Sequence, residues 1–118
     1  MKEILGFHLN GCPYCANAFR AIDELVAENP AYADIHINWV EDQDAHELFK
    51  THPYEYYPNL WFDLDKQYEA QPGESYDQTK ALIKAVLDKA IKRLALLASF
   101  FVFPFKIHMS NDLNRRYQ

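Results

Sequence analysis

The chain alternates between two hydrophobic periods. Residues 3–8 (Glu-Ile-Leu-Gly-Phe-His) form a short apolar run of strand length, and Leu9-Asn10-Gly11 follows as a loop ending at Cys12. From Pro13 to Asn29 the apolar positions Ala18, Phe19, Ile22, Leu25 and Val26 recur at helical spacing. Pro13 suits a first helical turn, where a missing N–H costs nothing, and Asn29-Pro30 supplies the stop. Ile35, Ile37 and Trp39 then alternate with His36 and Asn38, which predicts a strand with one buried face.

Asp44-Ala45-His46-Glu47 has the form of a capping box, with Asp in the place of Ser or Thr, and predicts a short helix through Leu48 and Phe49. Asn59-Leu60-Trp61-Phe62 reads as a third strand. Asp63-Leu64-Asp65-Lys66 is a turn into a fourth, Gln67-Tyr68-Glu69-Ala70, and the two strands make a hairpin. Pro72-Gly73 breaks the chain, after which Ser75 and Gln78 cap a long helix carrying Leu82, Ile83, Val86, Leu87, Ala90 and Ile91 on one side. The predicted order is β-α-β-α-β-β-α.

Residues 94–118 fall outside that pattern. Leu94 to Phe105 is an apolar run interrupted by Pro104, and the residues after it are polar. As a helix this run is about 18 Å long, short of the roughly 30 Å hydrocarbon core, so a membrane span is not expected. The run predicts either an element packing back on the domain or a contact between copies of the chain. The expected organisation is one domain over residues 1–93 and a C-terminal extension over 94–118, in a monomer or a tail-mediated oligomer.

Composition narrows the possibilities. A chain of 118 residues with 49% hydrophobic content can bury one real core, and 15% aromatic content argues against disorder. The net charge is −5. Residues 1–93 hold 9 Lys/Arg against 16 Asp/Glu, and the remainder holds 3 against 1. Clustered positive charge is needed to neutralise phosphates, so no nucleic-acid partner is expected. The first residues carry no long apolar stretch, and a cytoplasmic location is the default expectation.

The two cysteines, Cys12 and Cys15, are too close to staple a domain across its core. At the junction of a strand and a helix, the first sulfur lies beside unpaired N–H groups and the positive end of the helix dipole, where negative charge is favoured. Thiolate is the attacking species in disulfide exchange. Cys15, one turn along, is placed to resolve a mixed disulfide formed on Cys12. Two readings compete with this one. Cys12 and Cys15 can hold half of a zinc site or share an iron–sulfur cluster between chains, although no second CxxC or histidine pair at ligand spacing accompanies them. A redox-inert peptide-binding domain is the other. No metal site and no bound cofactor are expected.

Cys12-Pro13-Tyr14-Cys15 after a short N-terminal strand, with Tyr57-Pro58 ahead of a later strand, resembles the dithiol glutaredoxins of the thioredoxin superfamily. The resemblance covers residues 1–93. It implies a thioredoxin-like α/β fold, a four-stranded mixed sheet flanked by three helices, with the first two strands parallel and the last two a hairpin. It also implies a thiol–disulfide oxidoreductase in which Cys12 is the nucleophile, Cys15 resolves, and Pro58 is a cis-proline facing the thiols. The substrate class so implied is a protein disulfide or a glutathione mixed disulfide, with glutathione as a co-substrate or another, unidentified electron donor. The sequence departs from the family at several positions. Leu9 stands where a lysine is common, Tyr56-Tyr57 replaces Thr-Val, Gln71-Pro72-Gly73 replaces Gly-Gly, and Gly6 stands at the position of the thioredoxin buried acid. Asp77 is the nearest substitute for the family's acid at the last helix, beside Ser75 as a simple cap.

Among the remaining residues, Tyr14 and Tyr57 are expected to contact substrate together with Pro58, because one lies between the thiols and the other precedes the proline. Trp61 is expected in the core. His8, four residues before Cys12, is a candidate stabiliser of a thiolate, against the simpler reading of a strand-end histidine. Lys80, Lys84 and Lys92 are expected on the wet face of the last helix, with Asp88-Lys92 paired at helical spacing.

Overall fold

The computed structural model describes residues 3–106, with side chains through residue 97; the rest of the expected extension, 107–118, lies outside the described residues. Strands β1 (Ile4–His8), β2 (Ile37–Glu41), β3 (Asn59–Phe62) and β4 (Asp65–Glu69) form one sheet in the order β2-β1-β3-β4. β1 runs parallel to β2 and antiparallel to β3, and β3 and β4 are the hairpin. Helices α1 (Pro13–Glu28), α2 (His46–Phe49) and α3 (Tyr76–Lys106) complete the expected order. This sheet order and helix sequence define a thioredoxin-like α/β fold.

Strand alternation sorts the core into two layers. Ile4, Leu60 and Phe62 point to the face covered by α1 and α3, where they meet Ala18, Leu25, Ile83, Val86 and Leu87. Phe7 and Trp61 point to the other face and pack with Ala45 and Tyr54. Gly6 lies on the first face of the central strand, and a Cβ built there would come within 2.7 Å of the Trp39 ring. Trp39 in turn stands edge-on to Phe19 at 4.9 Å and to His8 at 5.9 Å. The glycine makes room for the indole. The position that could hold a buried acid is filled by packing instead.

Several boundaries differ from the sequence expectation. A 3-10 turn over Pro30–Asp34 delays β2 to Ile37, and this turn buries Tyr32, whose hydroxyl donates to Asp88. Asp44 does not cap α2. Glu41 caps a preceding 3-10 turn by accepting from the Gln43 N–H, and Ala45 precedes α2 with no side-chain bond. The hairpin turn is shorter than expected, only Asp63-Leu64 between paired Phe62 and Asp65, with Asp63 at φ 55°. Asp is among the few residues that tolerate that conformation. β4 therefore starts earlier, and a bulge opposite Leu60 and Trp61 absorbs Gln67 as an extra residue.

The cap of α3 is as expected: Ser75 N–H donates to Gln78 and the Gln78 N–H donates to the Ser75 hydroxyl. The helical backbone passes residue 93 and continues through position 104 to Lys106, so Pro104 does not end it. Lys80 is not simply solvated; its ammonium bridges Glu24 and Glu28 on α1, tying α3 to α1. Asp88 pairs with Lys84 on the turn before it, whereas the expected partner, Lys92, lies on the turn after it. No helix of the described residues is long and apolar enough to cross a membrane.

Gly6→Ala is expected to destabilise the domain by about 1–3 kcal/mol, because the new methyl group must displace the Trp39 ring. A lower denaturant midpoint with a red-shifted Trp39 emission checks this, and an unchanged midpoint contradicts it.

Candidate active site

Cys12 is the N-cap of α1. Its extended backbone turns the sulfur back over the first turn, where it accepts the Cys15 N–H at 3.3 Å. A Ser, Thr or Asp oxygen ordinarily fills this role. Here the acceptor is sulfur. Pro13 follows in the first turn and removes one competing donor.

Cys15 is 1% exposed, whereas Cys12 is half-buried and reachable. Burial pushes the Cys15 thiol up to about 12; a hydrogen bond from the Leu9 backbone opposes this, while the hydrogen bond and charge of Cys12 add to it. Both cysteines are free thiols.

Facing Cys12 is the loop ahead of β3. The Tyr57-Pro58 peptide bond is cis, as expected, and the Cys12 thiol points at the Tyr57 carbonyl oxygen at 3.8 Å. Three groups hold this loop. The Glu69 carboxylate accepts the N–H groups of Glu55 and Tyr56 at 2.6 and 2.7 Å. The buried Asn59 amide donates to the Tyr56 carbonyl and accepts the Trp61 indole N–H. The Ala70 N–H donates to the Pro58 carbonyl at 3.0 Å. Glu69 is partly buried, which raises its carboxyl, but the Lys66 ammonium and the two loop N–H groups outweigh this and hold it below its ordinary value.

Tyr14 is half-buried, and its hydroxyl accepts the Gly73 N–H at 2.8 Å, joining the dithiol turn to the segment that leads into α3. The next residue, Glu74, accepts from the hydroxyls of Tyr68 and Thr79 and from the Gln71 N–H. Asp77 sits in the first turn of α3 and Ser75 is its cap.

The structure thus brings Cys12, Cys15 and Tyr57 together, with Tyr14 beside them. Pro58 is fully buried, so its ring supports the loop from within while the preceding carbonyl faces the thiol. His8 is placed otherwise. Its ring lies edge-on to Phe19 and Trp39, and its Nδ1 is buried with no hydrogen-bond partner among the described residues. The hydrogen bonds of the Cys12 sulfur go to Cys15 and Tyr57. Trp61 and Tyr54 are core residues, and Tyr56 is exposed. Among the described residues no group of three or more His, Cys, Asp or Glu is arranged to hold a metal ion. Glu69 and Asn59 were not expected at the site, nor was Glu41, whose carboxylate accepts the Asn10 N–H in the loop leading to Cys12. Their only signal in the sequence is a polar residue inside or next to an apolar strand.

No family model matches this chain, and no curated protein does. Among solved structures, the crystal structure of oxidized glutaredoxin 2 from Chlamydomonas reinhardtii is similar, at 17% identity and a TM-score of 0.45, over 78% of this chain and 81% of that one. The assignment of the fold rests on the strand order described above.

The contrast between the sulfurs is measurable. At about pH 8, iodoacetamide is expected to alkylate Cys12 and to leave Cys15 intact in the folded protein. Equal labelling of both would contradict the burial of Cys15. The same shift sets an alkaline limit. The unfolded chain releases the Cys15 proton from about 9, while the folded chain keeps it until about 12. Stability therefore falls as pH rises through that window. Cys15→Ala is expected to flatten part of this fall, leaving the part due to the buried phenols of Tyr54 and Tyr68, which are also pushed up by burial and by their carboxylate partners.

Proposed function

We propose that this protein is a glutaredoxin-like thiol–disulfide oxidoreductase that reduces protein or glutathione mixed disulfides through Cys12 and Cys15. The observation that carries the reading is the asymmetry of the pair. One sulfur is a reachable helix cap, bonded by the Cys15 N–H and facing the Tyr57 carbonyl, and the other is buried one turn behind it.

The reaction runs in two displacements. The Cys12 thiolate attacks one sulfur of the substrate disulfide, forming a mixed disulfide and releasing the first substrate thiolate, which takes a proton from solvent. Cys15 then loses its proton and attacks the Cys12 sulfur. The second substrate thiol leaves, the Cys12–Cys15 disulfide forms, and two electrons have passed to the substrate. A thiol reductant, glutathione or another donor, returns the pair to the reduced state.

Capture itself prepares the second step. Once Cys12 is bonded to substrate, its charge and the hydrogen bond it offers as an ionised acceptor are gone, and both of these raise the Cys15 thiol in the reduced protein. What remains is burial, opposed by the Leu9 backbone. Cys15 thus becomes easier to ionise after the substrate has arrived. During both steps the backbone of the cis Tyr57-Pro58 segment lies beside the reacting sulfur, where it can pair with an extended substrate chain.

Turnover of a glutathione mixed disulfide and of a protein disulfide, measured side by side, tests the proposal. Cys12→Ser is expected to reduce both to background. Cys15→Ser is expected to lose protein-disulfide reduction and to accumulate a mixed disulfide on Cys12, with any residual turnover confined to glutathione. Turnover by Cys12→Ser would refute the assignment, and stoichiometric zinc or iron in fresh protein without disulfide turnover would favour the metal-binding alternative.

A further inference from the structure

The residues next to the dithiol carry charge of one sign. β1 and β2 lie in parallel register with His8 opposite Glu41, so Glu41 stands at the same end of the sheet as the loop leading to Cys12. Its carboxylate accepts the Asn10 N–H from that loop at 3.1 Å. Asp42, the next residue, accepts the Tyr54 hydroxyl, and the Tyr54 ring lies 6.2 Å from that of Tyr57. Burial first, and then the nearby charges of Asp42, Cys12, Cys15 and Glu41, push the Tyr57 phenol up. The two carboxylates among them, Asp42 and Glu41, are negative. None of the described hydrogen bonds, ion pairs or ring contacts of Asn10, Cys12, Tyr14, Cys15 or Tyr57 involves a lysine or arginine.

The nearest cation along α1 is occupied elsewhere, since the Arg20 guanidinium lies 3.8 Å from the centre of the Tyr76 ring. Lys66 and Lys80 are likewise engaged, with Glu69 and with Glu24 and Glu28. An incoming anion therefore meets the carboxylates of Glu41 and Asp42, and among the described residues no lysine or arginine contact beside the thiol opposes them; only the N-terminal end of α1 does. An incoming cation is drawn in by the two carboxylates.

We infer that Glu41 and Asp42 select the substrate by charge, and that the disulfides this protein reduces most readily are those flanked by basic residues rather than small anionic ones. This rests on the proposed dithiol chemistry and names its substrate class. Both carboxylates are held in place by hydrogen bonds within the fold, so they act as fixed charges instead of mobile surface groups. Their effect belongs to association, where like or unlike charge alters the rate of encounter and salt suppresses the difference.

The test uses reduced full-length protein in single turnover against three small disulfides of similar size: cystamine (cationic), bis(2-hydroxyethyl) disulfide (neutral) and dithiodipropionate (anionic). Each rate is divided by that of dithiothreitol with the same disulfide, which cancels the intrinsic reactivity of the leaving thiol. The normalised cation-to-anion ratio is expected to be on the order of tenfold at about 0.01 M salt and to approach one at about 1 M. Glu41→Gln with Asp42→Asn is expected to collapse the low-salt ratio; the Asp42→Asn replacement keeps an acceptor for the Tyr54 hydroxyl, whereas Glu41→Gln keeps only one of the two bonds that Glu41 accepts, from Asn10 and from Gln43. A ratio near one at low salt, a preference for the anion, or a ratio unmoved by the double replacement overturns the inference. If the neutral disulfide is not reduced at all, the dithiol chemistry itself fails, and the charge preference with it. The salt series on the unaltered protein keeps the question open to refutation even if the double variant does not fold.

Discussion

The candidate site depends on a hydrogen bond that a helix ordinarily makes to oxygen and here makes to sulfur. The Cys15 N–H is one of the donors that every helix leaves unpaired at its start, and the Cys12 sulfur accepts it. The side chain that begins α1 is therefore also the one left facing the loop before β3. Because the strand before it is the central one, held by β2 on one side and β3 on the other, the start of α1 cannot shift without dragging the sheet. The position of the Cys12 sulfur is inherited from the most constrained part of the fold.

The facing loop is held differently. Residues 54–58 form no ladder of their own, and their backbone groups are satisfied one at a time by Glu69, Asn59 and Ala70. These groups stabilise a shape that no regular element supports. The dithiol and the loop that faces it are thus fixed by separate means and meet at the Tyr57 carbonyl.

Much of this arrangement was legible in the sequence because it depends on local spacing. The CxxC pair before a helical period, the Ser75–Gln78 box and the proline before an apolar strand all act within a few residues of themselves, and all stand as expected. What was hidden depends on register. Glu69 reads as an ordinary strand carboxylate, and nothing in its neighbours says that its partners are N–H groups 13 and 14 residues earlier. Asp44 looked like a cap because the offset to Glu47 was right; a 3-10 turn capped by Glu41 took its place. Lys80 belongs to a solvent-facing pattern when α3 is read alone and becomes a cross-tie only when α1 is laid beside it. His8 was adjacent to the thiols in sequence, but strand alternation sends its ring to the aromatic cluster.

The bulge in β4 has a reach beyond its own hairpin. Lys66 and Glu69 are three residues apart, an odd step that in a regular strand sets side chains on opposite faces, yet they touch at 2.7 Å. Gln67, the residue without a partner in β3, restores the parity. Shortening this edge strand by that single residue would leave the hairpin able to pair while turning either the lysine or the glutamate away from its mate. If the glutamate turned, the loop opposite the thiols would lose its anchor. The alignment of the loop that faces the thiols is in this sense counted out on the rim of the sheet, at a residue that never approaches them.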